Sequence, residues 1–361
     1  MTEAGAGIQL SPNATRVLIE LGLGEVLQSQ AVVPEAIHMR SARNGREIVR
    51  IPLGRQVETS YGAPYWVIHR ADLQRVMLEA VANSPDIVLR LGFNVLDHAS
   101  HANGVTVAGK TASGVIVEEH GLALVGADGL WSSVRLSLGH KIVPRFRQRT
   151  AWRTVVPAAD LEPGWRTPAT QLWLGARAHL VHYPVYGGAA VNIVAIVEDK
   201  SELRGWNNAG QPEMLLRQFA RWPRATQAIL AAASGWQTWS LYDLPPLPQW
   251  GRGPVTLLGD AAHATLPYLA QGGAMAIEDA AVLAGCAMGF RDHIPGAFRA
   301  YEGSRQSRTR KVARASARTG TIYHLRGPFG WARNRAMQML GDDRLLRRQE
   351  WLYAWKNIGR N

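Results

Sequence analysis

The stretch at 255–281, VTLLGDAAHATLPYLAQGGAMAIEDAA, constrains this chain more than any other. Its first four residues form a short apolar run of the kind that makes a buried parallel strand. Gly259-Asp260 ends that run and sets a carboxylate just beyond the strand's carboxyl end, where open α/β sheets bind ligands. Such a carboxylate accepts hydrogen bonds from the hydroxyls of a ribose or ribityl chain. Pro267 then shapes an extended turn, and Gln271-Gly272-Gly273 opens a helix with Ala274, Ile277, Ala281 and Ala284 as its small apolar face. Two glycines leave the first backbone N–H groups bare, so electron-rich matter can rest on the positive end of the helix dipole. Sugar hydroxyls at one end and developing negative charge at the other describe a flavin.

The order GDAAH, then Pro267, then AQG, then IEDA resembles the GD motif of the flavin-dependent aromatic hydroxylases, the group containing salicylate, 3-hydroxybenzoate and 6-hydroxynicotinate monooxygenases. This is far more specific than a lone glycine pattern. The likeness runs on through HLVHYPVYGG, WGRGPVTLLGD and the WLYAW tail. It implies an α/β fold: a Rossmann-like FAD-binding domain interleaved with a mixed β-sheet substrate domain, then C-terminal helices. The implied boundaries are 1–34, 62–140 and 251–295 for the FAD-binding domain, 35–61 and 141–250 for the substrate domain, and 296–361 for the helical segment.

One part of that plan is missing. Ser11-Pro12 starts a capped helix with Val17, Leu18 and Leu21 as its buried stripe, and only TEAGAGIQL precedes it. In the resembled family about forty residues come first, forming a βαβ unit with a GxGxxG turn for the FAD pyrophosphate and an acidic residue for the ribose. No GxGxxG occurs in this sequence; GAG at 5–7 and GLG at 22–24 lack the third glycine. A doubly wound sheet without its first strand leaves inner edges unpaired, at about 1–3 kcal/mol for each buried unsatisfied group. The sequence therefore reads as an amino-terminally shortened form of a longer protein.

Elsewhere the chain divides by pattern. Residues 37–51 read as a hairpin around Asn44-Gly45 in the substrate sheet. WVIH at 66–69 leads into a helix with Leu73, Val76, Met77, Ala80 and Val81 on one face. By resemblance, Arg70 meets the FAD pyrophosphate, which a guanidinium fork suits; a surface ion pair with Asp72 or Glu79 is the alternative. Residues 87–91, Val95 and 104–117 read as a β-meander, and 122–125 as a buried strand ending in GADG. That turn, with Asp128, resembles the family's DG motif. Arg135 either steers a pyridine nucleotide or caps a helix. Strand-like runs at 151–157, 170–174, 178–185 and 190–197 make the substrate sheet, with a helical segment at 212–233 and helices from 296 onward. Trp206, Trp222, Trp236 and Trp239 read as packing.

Composition narrows the function classes. A single cysteine, Cys286, excludes an internal disulfide and suits a reducing compartment. There is no signal-like start and no apolar run of the roughly 18 residues that a membrane helix needs, so a cytoplasmic protein is the expectation. The net charge of +12 is concentrated in arginines near the end, including Arg299, Arg305, Arg308, Arg310, Arg314 and Arg318. Without interleaved aromatics or a docking motif, these read as a solvated helical face that attracts anionic substrates, not as a nucleic-acid surface. No metal-ligand spacing is present.

The resemblance implies an NAD(P)H-dependent FAD monooxygenase that hydroxylates a small aromatic with O2 through a flavin C4a-hydroperoxide. Oxygen transfer to the ring is electrophilic, so ionising a ring hydroxyl speeds it and a base nearby is useful. On a strand, His179, Val181 and Tyr183 face one way, and Leu180, His182 and Pro184 the other. The resemblance makes His179 the base and Tyr183 a substrate contact, although four strand residues span about 13 Å. A hydrogen-bonded wall histidine is the alternative at 179 and the reading for His182 and His263. The resemblance also places Tyr268 near the flavin ring, where some family members carry other polar residues, which leaves the substrate open. Asp128, Asp260, Pro267, Gln271, Gly272 and Gly273 complete the cofactor set with Arg70. NADH or NADPH is the donor, with no nucleic-acid or membrane partner and a homodimer as one open assembly. Three readings stand: hydroxylation of a hydroxybenzoate- or hydroxynicotinate-like acid, hydroxylation of a larger ring such as a quinone precursor or polyketide, or an inactive shortened remnant unable to hold FAD.

Overall fold

A computed structural model describes residues 6–203, 205 and 208–357. Trp206 and Gly5 lie outside the described residues. In chain order come β1 (Gly7–Leu10), α1 (Pro12–Glu20), α2 (Gly24–Gln28), β2 (Ala36–Ser41), β3 (Glu47–Pro52), α3 (Gly54–Tyr61), β4 (Trp66–His69) and α4 (Arg70–Ala82). Then follow β5 (Asn94–His101), β6 (Gly104–Lys110), β7 (Ile116–Gly121), β8 (Leu124–Gly126), α5 (Ser133–Ser137), β9 (Arg145–Pro157), β10 (Thr170–Gly175), β11 (Ala178–Val185) and β12 (Ala190–Glu198). The remainder is β13 (Asn208–Gly210), α6 (Pro212–Phe219), α7 (Arg224–Ala231), β14 (Trp236–Asp243), β15 (Val255–Leu257), α8 (Asp260–His263), α9 (Gly272–Gly289), α10 (Ile294–Tyr323), α11 (Gly327–Arg347) and α12 (Glu350–Tyr353). The fold is mixed α/β with helices at the carboxyl end. It forms two compact units, one from 1–78, 146–241 and 318–356, the other from 79–145, 242–317 and 357–361.

The first unit is built on an eight-stranded sheet in the order β13-β14-β9-β12-β11-β10-β2-β3. The hairpin predicted at Asn44-Gly45 forms its edge, with Gly45 at φ +73°, a backbone angle that suits glycine. β10 runs parallel to β2, pairing Thr170 with Ile37, while β11 and β12 continue antiparallel. One sheet face packs Trp152, Trp173, Leu180, Ile193 and Trp236 under Leu215, Phe219, Ile229 and Leu230 of α6 and α7. The other gathers Met39, Val49, Leu172 and Leu174 against Tyr323, Met337 and Leu345. The tryptophans of this core are packing residues, as aromatics with large buried area tend to be. The helical segment expected at 212–233 is two helices, broken before Pro223, which cannot donate to a preceding turn.

β1 pairs antiparallel with β4, from Gly7 opposite His69 to Leu10 opposite Trp66. α1 starts at Pro12 after Ser11, but the Ser11 side chain does not cap it and donates to Asn13 Oδ1 (2.6 Å) instead; Leu21 is 60% exposed, and Ala14, Val17 and Leu18 form the buried side. In α4 only Leu73 and Val76 of the five expected residues are buried.

The second unit holds the three-stranded meander β5-β6-β7 and a parallel pair, β8 with β15. Val255, Leu257, Ala261, Ala262, Leu130, Val134, Trp250 and Tyr301 form its core. β8 and β15 lie side by side with Leu257 opposite Gly126, so no gap separates these two strands. Residues 87–91 are not the strand that their apolar pattern suggests. They form no described ladder, and Val88 is 78% exposed. Among the described residues no helix is long and apolar enough to cross a membrane.

Candidate active site

In the second unit the parallel pairing carries Gly126 and Leu257 to the same level. The GADG and GD turns therefore leave the carboxyl ends of neighbouring strands, the place where open α/β sheets present ligand groups. Asp128 spends its carboxylate on its own turn. Oδ1 accepts from Ser132 Oγ (2.5 Å), and Oδ2 accepts from Ser133 Oγ and Val134 N (both 3.1 Å). Partial burial opposes ionisation, yet these hydrogen bonds hold the carboxyl below its ordinary range. Arg135, weighed as a nucleotide contact, is buried and braces the same region, donating to Ala261 O (2.9 Å) and Leu130 O (2.6 Å).

Gly259 turns the chain at φ +62°, and a Cβ there would sit 3.1 Å from Ala276 Cβ. Asp260 follows on the surface as the first residue of α8. After a single 3-10 turn over Pro267–Leu269, which buries Tyr268, Ala270 takes φ +53° and Gln271 caps α9. A Cβ at Gly272 would meet nothing within 4 Å, so there is room beside the first residue of this eighteen-residue helix, while Gln271, Ala274 and Met275 around it are buried. A helix start of this kind can stabilise a group that gains negative charge.

Of the small apolar face expected on α9, Ala274 is buried and Ile277 and Ala281 are half-buried. Ala284 is exposed, and the buried side carries Glu278 and Asp279. Asp279 Oδ2 accepts from Gly259 N (3.1 Å) and His263 Nε2 (2.5 Å), and Oδ1 accepts from Arg305 Nε (2.6 Å). Arg305 also pairs with Glu278 (2.7 Å), which takes a two-pronged contact from Arg308 (2.6 Å each). Burial works against the Asp279 carboxylate, but His263 and Arg305 outweigh it and keep it ionised. Part of the arginine-rich segment read as a solvated face is thus a buried ion network that fixes the GD turn. His263 belongs to that network.

In the first unit Arg70 opens α4, its backbone N–H bonded to Ala6 O (3.0 Å). Its Nε is buried without a partner among the described residues. A buried guanidinium nitrogen with nothing to donate to fits an anionic ligand group. Nearby, Tyr183 stands over β1: a Cβ on Gly7 would come to 2.5 Å from Tyr183 Cε2. Gly7 N donates to Asn192 Oδ1 (2.7 Å). Burial raises the Tyr183 phenol to about 12, with Arg153 and Arg70 pulling the other way, so it stays a hydrogen-bond donor.

His179 and His182 project from opposite faces of β11. His182 lies in the tryptophan core, where its Nε2 accepts from Trp173 Nε1 (3.3 Å) and burial, then Arg40, pushes it down to about 3. The wall reading holds for it. His179 is on the Tyr183 face and is also buried. Its Nδ1 meets His324 Nε2 at 2.8 Å, and His324 Nδ1 accepts from Arg149 Nε at 3.1 Å. Burial, then the His324 and Arg149 charges, hold His179 well below its usual value. Neither His324 nor Arg149 carries a local signature; His324 follows His179 by 145 positions, and only the fold brings them together.

A family profile described as FAD binding domain matches residues 3–316. The chain is 36% identical over 355 residues to 3-hydroxybenzoate 6-hydroxylase of Klebsiella oxytoca, spanning 98% of this chain and 88% of that one. It is 37% identical over 359 residues to 3-amino-4-hydroxybenzoate 2-monooxygenase of Streptomyces cremeus, spanning 98% and 86%. Among solved structures, Klebsiella pneumoniae HpxO complexed with FAD and uric acid superposes with a TM-score of 0.84 at 25% identity, over 96% of this chain and 87% of that one.

Proposed function

This chain belongs to the family of FAD-dependent aromatic hydroxylases, and from that premise we propose that it hydroxylates a small aromatic acid of the hydroxybenzoate or hydroxynicotinate kind. NADH or NADPH supplies two electrons and O2 the inserted atom, the second oxygen leaving as water. When bound, FAD supplies the redox chemistry and the activation of oxygen. The observation that carries this reading is the α9 start: room beside Gly272 behind a GD turn held by buried charges.

The chain's own residues would divide the work as follows. Gln271, Gly272 and Gly273 would hold the electron-poor edge of the flavin, where reduction builds negative charge. Asp260 would accept ribityl hydroxyls, Asp128 keeps the neighbouring turn in shape, and Arg70 would take the pyrophosphate. Pro267 and the buried Tyr268 shape the loop that leads into α9. His179 and Tyr183 are the groups proposed for the substrate's ring oxygens, His179 favouring the ionised hydroxyl that electrophilic attack requires. A cytoplasmic location and a homodimer belong to the same reading; the single cysteine supports the first.

The test is direct. Purified protein is titrated with FAD and followed by the yellow absorbance of bound flavin. NADH and NADPH oxidation is then measured with 3-hydroxybenzoate and 6-hydroxynicotinate, and products are weighed by mass spectrometry. The reading expects nucleotide oxidation stimulated by at least one small acid and a product one oxygen heavier. Coupled hydroxylation of only a polyketide-sized ring, or no FAD uptake at all, overturns it.

A further inference from the structure

The three-residue chain Arg149–His324–His179 determines where the proton of His179 resides. A guanidinium has only donors. Arg149 Nε, at 3.1 Å from His324 Nδ1, therefore meets a bare nitrogen. A neutral imidazole carries one donor and one acceptor, so the proton of His324 is on Nε2. That N–H points at His179 Nδ1, 2.8 Å away, which must accept it. The proton of His179 is then on Nε2. Both rings stay neutral: burial, reinforced by Arg149 and Arg333, takes His324 down to about 3, and His179 is held well below its ordinary value as well.

We propose that His324 and Arg149 are positioning residues that hold His179 as the Nε2–H tautomer, so that it meets the substrate's ring oxygen as a hydrogen-bond donor and selects the phenolate. The second half of this rests on the aromatic-hydroxylase reading above. The phenol's proton leaves to solvent, and the ionised oxygen accepts from His179. A base at His179 would need Nε2 bare and Nδ1 protonated. His324 would then have to accept at Nε2 and carry its proton on Nδ1, facing the Arg149 N–H donor head-on. That arrangement places two donors against each other. Around the pair, Tyr323 packs edge-on to the His179 ring, and Glu198 is engaged by Arg149 (2.9 Å) and Arg177 (3.3 Å).

The experiment uses the full chain labelled with 15N-histidine, with and without FAD, and long-range 1H–15N spectra at neutral pH. His179→Gln and His324→Gln assign the two rings by loss of their signals. Both rings are expected to show a protonated Nε2 and a bare Nδ1. His324→Gln keeps an amide donor for His179 and should preserve its tautomer, whereas His324→Phe and Arg149→Met should let the Nδ1–H form appear. A wild-type His179 protonated on Nδ1, or an Arg149→Met spectrum identical to wild type, overturns the assignment. The donor role is read separately, from the ultraviolet difference spectrum of 3-hydroxybenzoate bound to the FAD-loaded protein. The phenolate band is expected in wild type and should be lost or weakened in Arg149→Met. A phenolate band equal in both overturns the donor role. Failure of any aromatic acid to bind, with the tautomers as stated, overturns the functional reading instead.

Discussion

His182 gives the simplest residue-scale consequence. Its folded value of about 3, like that of His324, lies below the 6.5 of a free imidazole. Between those limits the unfolded chain binds protons that the native protein refuses, so stability falls as pH drops through 6.5 toward 3. Each histidine contributes a slope of about 1.4 kcal/mol per pH unit well inside that window. His182→Gln keeps an acceptor for Trp173 and removes the titration. Its urea midpoint should fall less steeply than wild type between neutral and acid pH, and an unchanged slope refutes the assignment. Tyr183 remains a phenol at working pH, so Tyr183→Phe should raise KM for a hydroxybenzoate about tenfold, the loss of one hydrogen bond of about 1–1.5 kcal/mol, with little change in flavin absorbance. The alternation that puts His179 and Tyr183 on one face is legible in the sequence because strand geometry has a fixed period. The partners of His179 are not, since Arg149 and His324 reach it only through sheet order and the end of α10.

At the scale of the element, α9 shows what periodicity leaves out. The helix and its glycine start are readable, but hydropathy misplaces its buried side: Ile277, Ala281 and Ala284 are not buried, while Glu278 and Asp279 are. A buried carboxylate is tolerable only with its cations, and the cation for Asp279 sits on α10, 26 positions further along the chain. Arg305→Met removes the cation between both acids and should cost about 3–5 kcal/mol, because it leaves the buried Asp279 to His263 and the buried Glu278 to Arg308. Thermal melts check the loss. FAD affinity should fall with it, since Asp279 also holds Gly259 N. Arg305→Met combined with Glu278→Gln and Asp279→Asn should recover part of the stability. By contrast the Asn44-Gly45 hairpin is legible in full, since a turn that needs φ > 0 announces itself in two residues.

For the molecule as a whole, the runs of the large sheet can be read one by one, but not the return of β10 to pair parallel with β2. Local pattern specifies a strand; its neighbour is chosen by the whole chain. The net charge of +12 is the one global property that can be counted directly from the residues. It should steer anionic FAD and pyridine nucleotides, so stopped-flow association should slow several-fold as ionic strength rises from about 0.01 M to 0.15 M and the screening length shrinks from about 30 Å to 8 Å. An association rate indifferent to salt would assign the arginines to packing alone.

The close approach of Tyr183 to Gly7 bears on any attempt to redesign the Tyr183 side of β11. Even a methyl group at residue 7 has nowhere to go while the tyrosine keeps its girth. The two positions must therefore be varied as a couple. Trimming residue 183 first removes the two nearest atoms, leaving Asn192 Cγ at 3.0 Å as the last close neighbour of a methyl at 7, whereas the opposite order passes through a variant in which the methyl and the tyrosine ring collide.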